Sequence, residues 1–164
     1  MENQSVVKTL MDTLPQIGEV TYISIRPERK ALPVEKDSVL ASSALGLEGD
    51  HFASQYSDKR QVTLIQQEHL DAVASMLGRE EIDPRMTRRN VVIKGINLHA
   101  LINRKFLIGE VVLEGTGHCH PCSRMEENLG KGGYNAMRGH GGLTARITKS
   151  GVISVGDKVR LVKK

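Results

Sequence analysis

Short runs in which apolar and polar side chains alternate, separated by glycine or charged turns, recur along this chain and confine it to a fold built mainly of strands. Alternation sends successive side chains to opposite faces of a sheet, so each run suits a strand with one buried face. Leu143, Ala145 and Ile147 alternate with Thr144, Arg146 and Thr148. Val62 and Leu64 alternate with Gln61 and Thr63, and Val159 and Leu161 with Lys158 and Arg160. Residues 19–25 contain Val20, Tyr22 and Ile23, which favour a strand, and residues 90–93 are short, apolar and β-branched. Gly109-Glu110 interrupts residues 106–113 and predicts a tight turn between two short strands. Residues 151–157 predict a turn that leads into the closing strand. One stretch alone has the spacing of a long helix: Leu70, Val73, Ala74 and Leu77, with Gly78 to stop it. Shorter helices are expected at 124–129 and 134–137, and residues 26–36, with Pro27 and Pro33 among charges, predict a surface loop. Many short strands with closely spaced turns favour a barrel or sandwich over a doubly wound sheet. The expected fold is a mainly β barrel with a few peripheral helices.

At 164 residues the chain has the length of one domain, and it shows no repeat or low-complexity tract. A hydrophobic fraction of 39% and a charged fraction of 26% suit a globular domain. No apolar run approaches a membrane span. Near the start, Glu2, Lys8 and Asp12 break up any secretory signal, and the cytoplasm is the default address. Val7, Leu10, Met11 and Leu14 follow helical spacing up to Pro15. Residues 1–17 are therefore read as a helical extension packed on a domain at 18–164. The net charge of +4 raises the question of nucleic acid. The charge is scattered, however, and aromatics are only 3%, which leaves few platforms for stacking on bases. Arg85, Arg88 and Arg89 form the one dense basic cluster, and a solvated turn accounts for it equally well.

The densest chemistry lies in Gly117-His118-Cys119-His120-Pro121-Cys122-Ser123-Arg124. Two cysteines are too few for a disulfide framework, so their spacing raises metal, redox and ligand questions. A zinc site needs a second ligand pair farther along, and His51, His69, His99 and His140 form no spaced pair. A Cys-His-Pro-Cys redox pair sits early in a βαβ pattern, whereas a glycine-rich loop follows here. A third reading makes one cysteine a soft thiolate ligand to a bound metal cofactor, or a carrier of sulfur. Pro121 fixes the chain before Cys122, and a helix starting at Ser123 or Arg124 would place its positive end there, with Arg124 close by. A buried structural cysteine is the plain alternative.

Further candidates surround this motif. Residues 130–142 hold Gly130, Gly132, Gly133, Gly139, Gly141 and Gly142 with Lys131, Arg138 and His140. Glycine allows close approach of backbone to a ligand, but neither Walker nor dinucleotide order is present, and a surface loop explains it too. Gly49-Asp50-His51 precedes Arg60-Gln61-Val62, and Thr87-Arg88-Arg89-Asn90 leads into a strand. An arginine there can grip phosphate with its planar fork, and asparagine offers both donor and acceptor to a heterocycle edge. A β-turn and surface charge are the ordinary explanations.

Taken in order, these pieces resemble the MOSC domain, named after the C-terminal domain of molybdenum-cofactor sulfurase, over residues 18–162. The matching pieces are Gly46-Leu47-Glu48-Gly49-Asp50, Arg60-Gln61-Val62-Thr63-Leu64-Ile65, and Arg89-Asn90-Val91 with Gly95. Leu107-Ile108-Gly109, Pro121-Cys122, Gly141-Gly142-Leu143-Thr144-Ala145-Arg146, Gly151-Val152-Ile153 and Gly156-Asp157 follow. Each is weak alone; their order and spacing are specific. The resemblance implies a MOSC-type barrel, like the β-barrel of pyruvate kinase, that binds molybdenum cofactor. It makes Cys122 the metal ligand, and Arg88 and Asn90 contacts to cofactor phosphate and pterin. Arg60 and Arg146 join the cofactor-binding set, and His120 lines the cofactor. Cys119 carries no such role. Larger relatives carry an extra N-terminal β domain, so contacts from it are absent or replaced here.

Small bacterial relatives imply an activity: reduction of N-hydroxylated compounds with electrons from a separate flavoprotein. His51, His118 or His120 would shuttle protons, and no flavin or nicotinamide fingerprint is present. The alternative is a non-catalytic carrier of the cofactor, or of sulfur as a Cys122 persulfide. Pyridoxal phosphate enters only at family level, since no segment corresponds to the domain that would hold it.

Overall fold

The computed structural model describes residues 2–51 and 58–163, with side chains from residue 5 onward. In chain order the elements are α1 (Glu2–Met11), β1 (Gly18–Ile25), β2 (Val34–Lys36), β3 (Ser38–Ser42), β4 (Gly46–Leu47), β5 (Val62–Gln66) and α2 (Gln67–Met76). They continue with β6 (Val91–Lys94), β7 (Lys105–Ile108), β8 (Val111–His118), α3 (Ser123–Leu129), α4 (Gly133–Met137), β9 (Leu143–Lys149), β10 (Gly151–Ser154) and β11 (Lys158–Leu161). Two 3-10 turns, Pro84–Thr87 and Leu98–Leu101, precede β6 and β7.

The large sheet runs β11-β7-β8-β9-β5-β6-β1, and pairing of β1 with β11 closes it into a seven-strand barrel with β2 attached outside. The β5–β6 join is the one parallel strand pair among the described residues, and α2 lies in its crossover. The expected turn at Gly109-Glu110 joins β7 to β8, with Ile108 opposite Val111. The alternation seen in the sequence fills the barrel: Val62 and Leu64, Phe106 and Ile108, Val111 and Leu113, and Leu143, Ala145 and Ile147 all point into one core. In β1 the core residues are Val20, Ile23 and Ile25, an irregular spacing explained by a β-bulge between Val20 and Tyr22.

The bulge turns Tyr22 to the outside, where a second apolar layer forms. There Tyr22, Ile65 and Val92 meet Leu70, Val73 and Ala74 of α2, Met125 and Leu129 of α3, and Ala136 and Met137 of α4. Strands β5 and β6 are thus covered on both faces, which is why Val91, Val92 and Ile93 form an unbroken apolar run. The Glu126 carboxylate of α3 accepts the N–H groups of Gly132 and Tyr134 (3.0 and 2.9 Å) and joins α3 to α4. Those donors hold its pKa below the usual value.

Three expectations need correction. Gly151–Ser154 is a strand rather than a turn: β10 pairs with β3, and β3 with β4, in a separate three-stranded sheet. Residues 26–36 are not all loop, because β2 occupies the end of that segment. The N-terminal helix forms but does not pack through its apolar side chains; Val7, Leu10 and Met11 are more than half exposed. The barrel core beside it is already filled, so only Leu14 reaches that core, and an Asp12–Arg104 ion pair ties down the helix exit. No helix among the described residues is long and apolar enough to cross a membrane.

Candidate functional site

The cysteine motif forms the loop between the end of β8 and the start of α3. Cys119 is buried and Cys122 is exposed. Cys122 occupies the N-cap position of α3 with extended backbone, and its side chain makes no capping bond. The helix therefore leaves the sulfur available, while the Cys122 carbonyl starts the first turn by accepting the Met125 N–H at 2.9 Å.

One buried arginine holds this loop in place. Arg89 donates from Nε to the Gly141 carbonyl (2.7 Å), from Nη1 to Thr87 (2.9 Å), and from Nη2 to Cys119 and His120 (3.2 and 3.4 Å). Burial lowers its pKa, yet four carbonyl oxygens compensate the charge. The glycine-rich segment meets the same loop: the Cys119 N–H donates to the Gly142 carbonyl at 2.9 Å. A side chain at Gly141 would strike the Cys119 carbonyl, and one at Gly142 the Leu64 carbonyl of β5. Glycine is required at both points because backbone touches backbone there.

On one side of the loop lies a cleft of about 630 Å³. Its lining brings together His51, Arg60, Arg88, Asn90, His120 and Cys122, all singled out from sequence. Arg146 stands apart; it belongs to β9 and is paired with Asp58 and Glu114 at 3.6 and 3.9 Å. Asn90 works first as a strut, since its Oδ1 accepts from Thr63 N and Oγ1 (both 3.0 Å) and its Nδ2 donates to Ser24 O (3.2 Å). Arg60 Nη2 lies 3.8 Å from Cys119 Sγ, so the buried cysteine touches a residue of the cleft. Arg88 sits at φ 61°, in the left-handed region, as the cap of the preceding 3-10 turn. The Arg85–Arg88–Arg89 cluster is split by the fold: Arg85 is bound to Asp83 at 2.8 Å, Arg89 is buried, and Arg88 faces the cleft.

The fold adds Arg26 and Arg29 to the cleft and brings Asp50 and Arg124 into it from the segments already noted. Arg26 immediately follows β1, and its backbone N–H donates to Asp50 Oδ1 at 2.9 Å. Its carbonyl accepts the His51 N–H at 2.8 Å and lies 3.2 Å from His51 Nδ1, so Asp50 and His51 are both positioned by Arg26. Arg26 Nη1 is buried without a hydrogen-bond partner. Burial lowers the Arg26 pKa; Asp50 opposes this, while Arg124 and Arg89 reinforce it. The strand-end argument applied to Arg88 would have found Arg26, had 26–36 not been read as loop.

On the other side of the loop is a smaller pocket of about 260 Å³, lined in part by His69, His99, His118 and His120. The sequence put His118 and His120 in one motif, but nothing in it joined them to His69 of α2 or His99 of the Leu98–Leu101 turn.

Arginines that outnumber the one carboxylate, an orphaned buried guanidinium donor and a free cysteine sulfur fit an anionic group that also carries a soft metal. Among the described residues no group of three or more His, Cys, Asp or Glu side chains is placed to hold a metal ion. A metal that brings its other ligands needs only one.

Comparison with known proteins agrees on the fold. The chain is similar to the YuaD protein of Bacillus subtilis, with a TM-score of 0.77 at 17% identity, over 90% of this chain and 97% of that one. It is similar to YiiM of Geobacillus stearothermophilus (TM-score 0.72, 14% identity, 89% and 75% of the two chains). It also resembles YiiM of Escherichia coli (TM-score 0.65, 17% identity, 89% and 70%). At these identities the likeness is one of fold. The search of curated proteins returned no match. The MOSC domain model matches residues 51–160, a stretch that contains the Arg89 clamp and the whole cysteine loop. The chain belongs to the MOSC domain family, a family linked to the molybdenum cofactor.

Proposed function

We propose that the arginine-lined cleft binds molybdenum cofactor with Cys122 as the protein's ligand to the metal, and that the chain reduces N-hydroxylated compounds with electrons from a partner flavoprotein. The observation that carries this reading is the pairing, in one cleft, of an exposed Cys122 with a buried Arg26 donor that lacks a partner. Arg26, Arg29, Arg88 and Arg124 would grip the cofactor's phosphate, where guanidinium forks match oxygen pairs. Arg60 and Asn90 would border the pterin. Arg89 acts as a positioning residue, because it fixes the carbonyls on either side of the loop that presents Cys122.

Reduction of an N–OH group to N–H consumes two electrons and two protons and releases water. The bound cofactor supplies the two-electron chemistry. The chain supplies the proton route: His51, oriented by the Arg26 carbonyl, and His120 both line the cleft. The partner's flavin restores the electrons.

The test is molybdenum and pterin content of the chain from a host that makes the cofactor, beside Cys122→Ala. Near-stoichiometric molybdenum and pterin, with molybdenum lost in the variant, is the expected result. Turnover of a hydroxylamine or amidoxime with a flavoprotein donor then tests the activity, and no turnover by loaded protein removes it. A second reading, a sulfur or cofactor carrier, draws on the exposure of Cys122. A persulfide on Cys122 seen by intact mass, with neither pterin nor molybdenum, would favour it.

A further inference from the structure

Helix α1 is built inside out. Lys8 and Asp12, about one turn apart on the same side, line a cleft of about 870 Å³ with Arg104 beside β7, Glu114 of β8 and Leu161 of β11. The Asp12–Arg104 ion pair fixes that polar side toward the barrel. Val6, Val7, Leu10 and Met11 stand at i, i+1, i+4 and i+5, which gathers them into one stripe along the helix. All four are between 52% and 64% exposed, and none lines the cleft. A helix that only served its own domain would turn the apolar stripe inward and the charges outward. Leu14, just past the helix, is the residue that reaches the barrel core. A contiguous apolar stripe left in water marks a contact with something outside the chain's own fold.

We propose that the stripe joins two copies of this chain, which pair their α1 helices antiparallel about a two-fold axis. The stripe is self-complementary in that arrangement. With the axis level with the midpoint between Lys8 and Thr9, Val6 of one copy meets Met11 of the other, and Val7 meets Leu10. Each contact then occurs twice, as an interface between identical surfaces requires. Lys8 and Asp12 lie on the cleft side, so no like charges meet in the seam. Four apolar side chains exposed by about half offer roughly 400 Å² per copy, the size of the largest apolar patch on an ordinary monomer. Two copies bury on the order of 800 Å² at the stripe, less than a standard interface, which makes the pair reversible and of micromolar affinity rather than obligate. A membrane surface suits the stripe less well. Lys8 is the one cation among the described side chains of α1 and belongs to the cleft, whereas an interfacial helix is rich in cations on its polar face. No residue of the stripe or of this cleft lines either side of the cysteine loop, so the inference stands apart from the function proposed above.

The experiment is sedimentation velocity of the full chain over about a hundredfold range of concentration through the micromolar region. The mass should rise from the 18.1 kDa of one chain toward twice that. Leu10→Glu and Val7→Lys should each weaken association about tenfold or more, because each sets a charge against an apolar side chain in the seam. Both positions are exposed in the single chain, so urea midpoints of the dilute variants should match that of the natural chain. The two variants mixed in equal amounts should associate again, since position 7 of one then meets position 10 of the other with opposite charge. A chain that keeps the mass of one copy throughout overturns the proposal, and so does association that Leu10→Glu leaves unchanged. A mixture that associates no better than its components overturns the antiparallel pairing. Binding to vesicles of phosphatidylcholine and phosphatidylglycerol that Leu10→Glu abolishes, without self-association, would give the stripe to a membrane instead. Pyrophosphate affinity in the arginine-lined cleft should be equal in the natural chain and both variants, so the pairing can fail while the cofactor site stands, and the reverse.

Discussion

The two sides of the cysteine loop are a few residues apart in sequence and opposite in chemistry. The cleft is lined largely by guanidinium groups with one carboxylate; the pocket is lined by imidazoles, Gln66, apolar side chains and glycine backbone, with no Asp, Glu, Lys or Arg. Arg89 supports both, since three of its four hydrogen bonds hold Cys119 and His120 against Gly141. The contrast teaches that one short loop can turn a free thiol toward an arginine-lined cleft and its histidines toward a pocket with no formally charged side chain in its lining. Cys122 faces the first, His118 faces the second, and His120 borders each.

Removing the clamp should damage both sides at once and gives the largest effect. Arg89→Met should lower unfolding free energy by about 3 kcal/mol, because it strands buried carbonyl oxygens. Urea denaturation measures this, and Arg89→Lys should recover little, as one ammonium cannot span four acceptors. A stable Arg89→Met variant with unchanged histidine NMR signals would break the idea of a shared support. Arg26→Met should sharpen the contrast by affecting the cleft alone. Its affinity for inorganic pyrophosphate, followed by calorimetry, should fall about tenfold, roughly 1.4 kcal/mol. Stability should hold or rise, since an unpartnered buried donor is removed. Equal pyrophosphate binding by both proteins would remove Arg26 from the anion site.

The smallest effect lies in the pocket. Burial lowers the His69 pKa from 6.5, His140 and His99 add to this, and Glu68 opposes it. The unfolded chain therefore takes up the proton more readily than the folded one. Stability from this group is complete above the unfolded value and is lost as pH falls from there through the folded value. Between pH 7.5 and 5.5 the thermal midpoint should drop slightly more for the natural chain than for His69→Asn. Parallel curves would show that the pocket tolerates a charged His69.

Most of the barrel was legible because its strands each have one face in the core: Leu143, Ala145 and Ile147 needed only their alternation. The small sheet was not. In β10 and β3, Val152 and Leu40 lie opposite each other and remain partly exposed, so apolar residues occupy an outer face and the pattern misleads. Helix α1 shows the same ambiguity, because amphipathic spacing says nothing about whether a partner surface exists. At the site, Cys122 stood out through its neighbours, Pro121 and Arg124. Arg88 and Arg89 are identical in sequence terms, and only burial separates the residue facing the cleft from the one holding the loop. His69, His99 and the His118–His120 pair come from segments far apart in the chain, which no local spacing could join.

The pairing of β1 with β11 has a consequence for how the molecule is made. Gly18 lies opposite Val159, and Glu19 is bridged to Lys158 at 3.0 Å. The first strand thus depends on the last to complete its edge. Contacts at such separation carry a large loop-closure cost before any stabilisation is gained, and they slow folding. A nascent chain can form the β7–β8 hairpin and α2 early, but its barrel stays open until β11 is available. The circle of strands therefore closes only after every residue that lines either pocket has been made.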